Sequence, residues 1–203
     1  MAGATADDVQ RKLGPVKEVL AAVPRPQAYR MKVISMGSDG VGKSCIIKRY
    51  CEERFIPKYL MTIGIDYGVK RVTIPDTGDE VRVNFWDLSG SGEFFETRTE
   101  FYKDAQAALL VYDVTNPRTF YQLDAWLAEA QKYGAKDLIC AVCANKVDLK
   151  GRQVPEADGK KWAMSKGFAY YETSAQSGQN VNAMFDQLFR DTFALKLQRP
   201  GAA

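Results

Sequence analysis

The sequence predicts an α/β fold in which six strands form a mostly parallel sheet and five helices cover both of its faces. Three observations lead there. An apolar run, Met31 to Met36, stops at Gly37-Ser38-Asp39-Gly40-Val41-Gly42-Lys43-Ser44, a glycine-rich loop that opens a helical pattern. Behind the loop, strand-like and helix-like segments alternate. A length of 203 residues, 46% hydrophobic and 26% charged, suits one domain with a substantial core.

In chain order, residues 1–30 read as an N-terminal extension. It holds either a short helix around Asp7 to Val23, interrupted by Gly14-Pro15, or a mobile tail, and Pro24-Arg25-Pro26 reads as a linker. The domain spans 31–197, and 198–203 form a C-terminal tail. Strands are expected near 31–36, 65–74, 80–86, 107–113, 138–144 and 168–172, and helices near 43–53, 92–104, 118–133, 155–166 and 179–196. Asp76-Thr77-Gly78-Asp79 reads as a hairpin turn, so the second and third strands should pair antiparallel. In the last helix Val181, Met184, Phe185, Leu188 and Phe189 fall at i, i+3, i+4 spacing, one apolar stripe for the sheet.

Composition removes several function classes. The net charge is +3 and no basic block is long enough to track a polynucleotide, so neither nucleic acid nor a membrane surface is an expected partner. No apolar run reaches the roughly 18 residues of a membrane span, and the N-terminus lacks the order of a secretory signal, which points to the cytoplasm. Four cysteines and no histidine argue against a disulfide scaffold and remove the commonest zinc ligand. Cys140 and Cys143 sit in the apolar run Leu138 to Ala144 at odd separation, and read as core residues on opposite strand faces rather than a redox pair.

The glycine-rich loop has the complete G-x-x-x-x-G-K-S pattern of a triphosphate cradle. Its glycines let successive N–H groups point inward at phosphate oxygens, Lys43 reaches the β- and γ-phosphates, and the Ser44 hydroxyl can ligate Mg²⁺. The helix that follows adds its positive end. The base is read elsewhere. Asn145-Lys146-Val147-Asp148 follows a predicted strand, at the edge where ligands of open α/β sheets bind. The Asp148 carboxylate can accept two hydrogen bonds from guanine's ring N–H and exocyclic amine, a donor pair that adenine lacks. Three further pieces stand at matching points: Asp87-Leu88-Ser89-Gly90, offering a carboxylate to the Mg²⁺ shell through water and a glycine N–H to the γ-phosphate; Thr62, a hydroxyl for the same ion; and Thr173-Ser174-Ala175, whose N–H groups can meet the guanine carbonyl. Singly, these could be a turn carboxylate, a surface hydroxyl and a helix cap, but their order and spacing favour the site.

With these motifs the chain resembles the Ras superfamily of small GTPases over about residues 31–197. Thr62-Ile63-Gly64-Ile65-Asp66-Tyr67, Trp86-Asp87 and Leu110-Val111-Tyr112-Asp113-Val114 are similar to Rab proteins. Cys45-Ile46-Ile47-Lys48-Arg49-Tyr50-Cys51, Phe101-Tyr102-Lys103-Asp104 and Asp124-Ala125-Trp126-Leu127-Ala128-Glu129 are similar to the RJL subgroup, some of whose members carry a C-terminal DnaJ domain. The resemblance implies the P-loop GTPase (G domain) fold with GTP or GDP and Mg²⁺ as cofactors. It implies nucleotide contacts from Ser38, Asp39, Gly40, Val41, Gly42, Lys43, Ser44, Cys45, Phe55, Tyr59, Thr62, Gly90, Asn145, Lys146, Asp148, Ser174, Ala175 and Gln176. Among these, Phe55 would stack edge-on against guanine, Tyr59 would lie over the γ-phosphate and Lys146 would pack along the base. The metal set is Ser44, Thr62 and, through water, Asp87; the catalytic set is Lys43, Thr62, Gly90 and position 91. Residues 54–66 and 87–103 would be the two switches, ordered by GTP and loosened by GDP. Effector proteins would meet the GTP form through 54–67 and 86–103, with Tyr67, Trp86 and Phe101 or Tyr102 as an aromatic surface, and an exchange factor would reload a monomeric protein.

The chain departs from that family in three places. Ser91 stands where most small GTPases have the glutamine that orients the attacking water, and it is too short to span the same distance. Asp39 brings a carboxylate toward the γ-phosphate region, where negative charge repels. Either a compensating group such as Glu93 or a repositioned switch restores the water, or hydrolysis is weak or absent. Third, the last cysteine is Cys143 and residue 2 is alanine, so neither a prenylated C-terminal cysteine nor a myristoylated glycine is expected. Recruitment to membranes or a cilium would then run through partners. The leading reading is a Mg²⁺-dependent GTP-binding switch with feeble hydrolysis. A permanently GTP-bound, non-cycling scaffold is the alternative, and a P-loop kinase or ATPase is disfavoured by Asn145 to Asp148.

Overall fold

The structure, a computed structural model, describes residues 29–58, 60–74 and 76–198. Residues 1–28 of the proposed extension, which include its linker, and Tyr59, Pro75 and the last five residues lie outside the described residues. Six strands form one sheet in the order β2-β3-β1-β4-β5-β6. Strand β1 spans Tyr29–Met36, β2 Ile65–Thr73, β3 Glu80–Leu88, β4 Ala107–Asp113, β5 Ile139–Asn145 and β6 Ala169–Thr173. All neighbours run parallel except β2 and β3, which are antiparallel as the hairpin turn predicts. That turn closes with the Ile74 N–H donating to Asp79 O (2.9 Å) and the Gly78 N–H to Ile74 O (2.8 Å). Strand β1 starts two residues earlier than expected, because Tyr29 and Arg30 already pair with Val81 and Arg82.

Strand β4 is buried from end to end, which is why it reads as an unbroken apolar run rather than an alternation. Ala107, Leu109 and Val111 enter one core, while Ala108, Leu110 and Tyr112 enter the other. The first core is roofed by α1 (Lys43–Glu52), which contributes Ile46, Ile47 and Tyr50, and by α6 (Val181–Gln198), whose stripe of Val181, Met184, Phe185, Leu188 and Phe189 is buried as the spacing predicts. The second is covered by α4 (Leu123–Lys132), through Leu123, Trp126, Leu127 and Ala130, and by α5 (Glu156–Ser165), through Ala163. Cys140 lies in the second core and Cys143 in the first, on opposite faces as their separation requires.

Two helical regions differ from the sequence expectation. The region expected at 92–104 is a 3-10 turn, Gly92–Phe94, followed by the five-residue α2, Phe95–Thr99. It stops there because the Thr99 hydroxyl bonds back to Glu96 O (2.8 Å) and the chain then turns, burying Tyr102. The region expected at 118–133 is two helices, α3 (Pro117–Tyr121) and α4, meeting at Gln122. Asn116 caps α3 by accepting from the Arg118 N–H (3.2 Å), and Pro117 occupies its first turn.

Candidate functional site

Four of the sequence-predicted motifs emerge at the carboxyl ends of the parallel strands β1, β3, β5 and β6, and Thr62 reaches the same edge from the segment between α1 and β2. Ser35 on β1 lies beside Asp87 on β3, Asp113 on β4 beside Asn145 on β5, and Asn145 beside Thr173 on β6. The loops that follow enclose a cavity of about 280 Å³, lined by the phosphate-loop residues Asp39, Gly40 and Gly42 to Cys45, by 55–58, Leu60, Thr62 and Gly90, and by Asn145, Lys146, Asp148, Leu149, Ala175 and Gln176. It is the size and place in which open α/β sheets hold small ligands.

The glycines are there for close approach. A Cβ at Gly37 would collide with the Val111 carbonyl, and one at Gly90 would stand 2.5 Å from the Asp39 nitrogen, so the 87–90 turn lies directly on the phosphate loop. Gly42 has φ 99°, precedes the first residue of α1, and leaves no room for a Cβ beside the Asn145 amide. The Lys43 ammonium folds back over the loop and donates to Gly37 O (2.8 Å) and Ser38 O (3.0 Å). Burial pushes its pKa down to about 8, against the pull of the Asp87 and Asp39 carboxylates; the Arg98 guanidinium lowers it further.

Beside Lys43 lies a group of oxygen donors. The Ser44 and Thr62 hydroxyls are 2.9 Å apart, and Thr62 Oγ1 is 3.5 Å from Asp87 Oδ2. The Ser35 hydroxyl donates to Asp87 Oδ1 (2.6 Å) and itself accepts from the Leu88 N–H (3.1 Å). Burial raises the Asp87 pKa, while hydrogen bonds from Ser35 and Ser44 and the charge of Lys43 act in the opposite direction. Two hydroxyls and one carboxylate form a hard-oxygen set that fits a magnesium ion with further oxygens from phosphate and water. Among the described residues there is no cluster of three His, Cys, Asp or Glu to suit another metal.

At the far end Asn145 acts as a tie rather than a lining residue alone. Its Nδ2 donates to Val41 O (2.8 Å), and its Oδ1 accepts from the Ala175 N–H (3.3 Å) and the Thr173 hydroxyl (3.2 Å). Lys146, with φ 69°, lays its ammonium on Asp113 (2.7 Å), and Asp148 stands exposed at the cavity rim. Phe55 is half-buried on the cavity wall. Not every predicted contact residue faces the cavity. Val41 and Ser174 are buried beside it, and the Ser174 N–H donates to Gln179 O (3.2 Å). Because the Ala175 N–H is also engaged, a guanine carbonyl would have to share it. Ser38 points to the other side and bonds Gln122 (2.6 Å). The Ser91 hydroxyl accepts from the Glu93 N–H (3.3 Å), capping its own turn. Of the aromatic residues proposed as a surface, Tyr67, Trp86 and Phe101 stack in a row with centroids 4.6 and 4.8 Å apart, whereas Tyr102 is wholly buried.

Sequence reasoning missed Ser35, Asp113 with Thr115, and Arg49. Arg49 Nε donates to Ala175 O (2.8 Å) and its Nη2 to Gln176 O (2.5 Å), holding the base-side loop from α1. Only Asp113 carried a signal, as the last residue of the strand predicted at 107–113.

Fold and site together define a GTP-binding small GTPase, and the chain belongs to the Ras family, whose model matches residues 32–194. Its curated relatives are more specific. It is 55% identical over 169 residues to DnaJ homolog subfamily C member 27-A of Xenopus laevis, and 54% identical to DnaJ homolog subfamily C member 27 of Danio rerio and of Homo sapiens. Each match covers 80% of this chain and 61% of the relative. The chain therefore spans about three-fifths of the length of these relatives and is Rab-like, of the RJL type.

Proposed function

We propose that the chain is a magnesium-dependent guanine-nucleotide switch whose GTP form persists because hydrolysis is weak. The observation that carries this reading is at residue 91. A serine stands where a water-orienting side chain would be needed, and its hydroxyl is turned into its own helical turn. Asp39 adds to the effect, since its carboxylate lines the cavity beside Lys43 and places negative charge near developing phosphate charge. A bound magnesium ion would supply charge neutralisation between the β- and γ-phosphates. Ser44 and Thr62 would hold it, with Asp87, itself fixed by Ser35, ordering a water in its shell. Lys43 and the N–H groups at the start of α1 would grip the phosphates. Asp148 would select guanine, Lys146, steadied by Asp113, would lie along the base, and Phe55 would close its edge. If orientation of the water contributes about 10- to 100-fold, a bound GTP lasts hours or longer.

The GTP form would offer effectors the exposed residues Leu60, Met61, Ile63 and Tyr67 together with Trp86 and Phe101. Among the described residues no helix is long and apolar enough to cross a membrane, and a trafficking or signalling role would run through such partners.

The test is chromatography of the nucleotide released on denaturing freshly purified protein, repeated after a day at room temperature with Mg²⁺. GTP that survives the day supports the reading, and GDP overturns it. Retained GTP that excess labelled GTP does not replace within that day identifies the non-cycling scaffold instead.

A further inference from the structure

We propose that Arg30, Arg71 and Arg82 form a docking site for carboxylates of a partner protein. The site continues the aromatic row of Tyr67, Trp86 and Phe101, so the partner segment carries acidic residues beside apolar ones. The proposal deepens the effector reading of that row and rests on it for its dependence on GTP.

The three arginines are far apart in sequence and meet only through strand register. Arg30 of β1 lies opposite Arg82 of β3, and Arg71 of β2 lies opposite the same residue. Their neighbours fix the side on which they project. Met31, Val72, Val81 and Val83 pack into the core beneath α1 and α6, so Arg30, Arg71 and Arg82 stand on the other face of the sheet. On that face the next rung holds Lys32, Asn84 and Val69, and the one after it Ile34, Trp86 and Tyr67. The lower two rungs are open to solvent: Arg30, Val69 and Arg71 are exposed, and Arg82 and Asn84 are half-buried.

Neighbouring strands stand about 4.8 Å apart, and like charges directly opposite each other destabilise a sheet. Here three abut. Arg71 is relieved by Glu80 at 3.4 Å, an exposed pair that solvent screens. Among the described residues neither Arg30 nor Arg82 has a carboxylate partner, and Arg82 Nε is buried without a hydrogen-bond acceptor. Turning that guanidinium outward presents Nε and Nη2 together, the edge that takes a carboxylate on two prongs. One rung up, Lys32 is engaged by the Lys103 carbonyl (2.7 Å) and lies 5.6 Å from the Trp86 ring centroid, with the Asp104 charge nearby, so it joins the basic row to the aromatic one. Asn84 accepts from the Tyr67 hydroxyl (2.9 Å), which leaves its amide N–H groups facing the same surface.

Two unpaired cations beside three rings fit a protein segment of mixed acidic and apolar character. Anionic lipid is held by clusters of roughly four to eight basic residues, more than this row supplies. From Arg82 to Trp86 is about 13 Å of strand, so the partner's carboxylates lie about that far from its apolar anchor. That is about four places along an extended segment or about nine along a helix.

The experiment selects a displayed library of random peptides of about 16 residues, long enough to span both rows, on the full chain loaded with a non-hydrolysable GTP analogue. Selected peptides should carry an aromatic or aliphatic anchor with Asp or Glu at one of those two spacings. Arg82→Gln should weaken their binding about tenfold and Arg30→Gln about threefold. Raising NaCl from about 0.05 M to about 0.5 M should weaken binding about tenfold in the unaltered protein and less than about threefold in the double arginine variant. Tyr67→Ala should weaken binding and keep the salt response. Because Arg82 is one of three abutting charges, Arg82→Gln should leave the urea midpoint unchanged or raise it. Peptides without acidic residues, affinities that the arginine variants leave unchanged, or a lower Arg82→Gln midpoint overturn the proposal. So does Arg82-dependent binding to phosphatidylserine vesicles in place of peptides, which assigns the row to a membrane surface. Failure of the effector reading is seen separately: acidic peptides that bind the GDP-loaded chain equally well, with the same arginine dependence, keep the row and remove its control by nucleotide.

Discussion

The Asp113 carboxylate accepts three hydrogen bonds, from the Thr115 N–H (2.8 Å), the Thr115 hydroxyl (2.7 Å) and the Lys146 ammonium (2.7 Å). Burial alone would oppose its ionisation, but these partners outweigh it and hold the carboxyl below the usual carboxylate range. A depressed folded-state pKa stabilises the protein fully above the unfolded value of about 3.9, and the contribution is lost as the pH falls through the folded value. Asp113→Asn should therefore cost about 1–2 kcal/mol at pH 7, with partial solvent screening keeping it at the low end. The gap to the unaltered protein should close as the pH drops below about 4. Urea midpoints measured from pH 7 to pH 3 check this; a gap independent of pH refutes the assignment. Asp113 also marks a limit of sequence reading. Asn145, Lys146 and Asp148 are contiguous and announce themselves, whereas the partners that hold them are far along the chain: Val41 for Asn145, Asp113 for Lys146, and Arg49 for the loop at Ala175. Long-range side-chain pairs leave no periodic trace, so Ser35, Asp113 and Arg49 became visible only when the strands were laid side by side.

At the scale of elements, periodicity located all six strands and the buried stripe of α6, and it failed where side chains pull a helix out of line. The Ser38 hydroxyl of the phosphate loop bonds Gln122, the junction between α3 and α4, and the Thr99 hydroxyl bonds back to Glu96 O where α2 ends, so both breaks coincide with side-chain contacts that have no periodic signature. Helix α5 shows the opposite case, a glycine kept inside a helix for packing. A Cβ at Gly159 would collide with the Tyr112 hydroxyl and stand 2.7 Å from the Tyr170 ring. Gly159→Ala gains about 1 kcal/mol of helix propensity, but overpacking of this kind costs about 1–3 kcal/mol, so the variant should be less stable by up to about 2 kcal/mol. Tyr112 and Tyr170 bond in series to Glu172, next to Thr173, so guanine-nucleotide affinity should fall alongside. A urea titration and a nucleotide-binding titration test the two effects; a more stable variant would mean that α5 shifts outward without resistance.

For the whole molecule, stability is concentrated where one aromatic cluster joins three elements. Tyr50 of α1, Phe85 of β3 and Phe185 and Phe189 of α6 meet with ring centroids 4.3 to 6.3 Å apart. Phe185→Ala should cost about 3–5 kcal/mol and lower Tm by roughly 6–20 °C. Thermal unfolding with nucleotide held at fixed concentration checks it, and a loss under about 1 kcal/mol would show that the cluster collapses to fill the gap.

The sheet order has a consequence for how the chain is made. Strand β1 leads the described domain, yet it is an interior strand, flanked by β3 on one side and β4 on the other. On the ribosome its apolar residues emerge first, and neither neighbour exists until the chain has reached residues 80–88 and then 107–113. Until then Met31 to Met36 is a short β-prone segment with both hydrogen-bonding edges unpaired. Such a nascent chain has to be kept from pairing with its neighbours until residue 113 has been made.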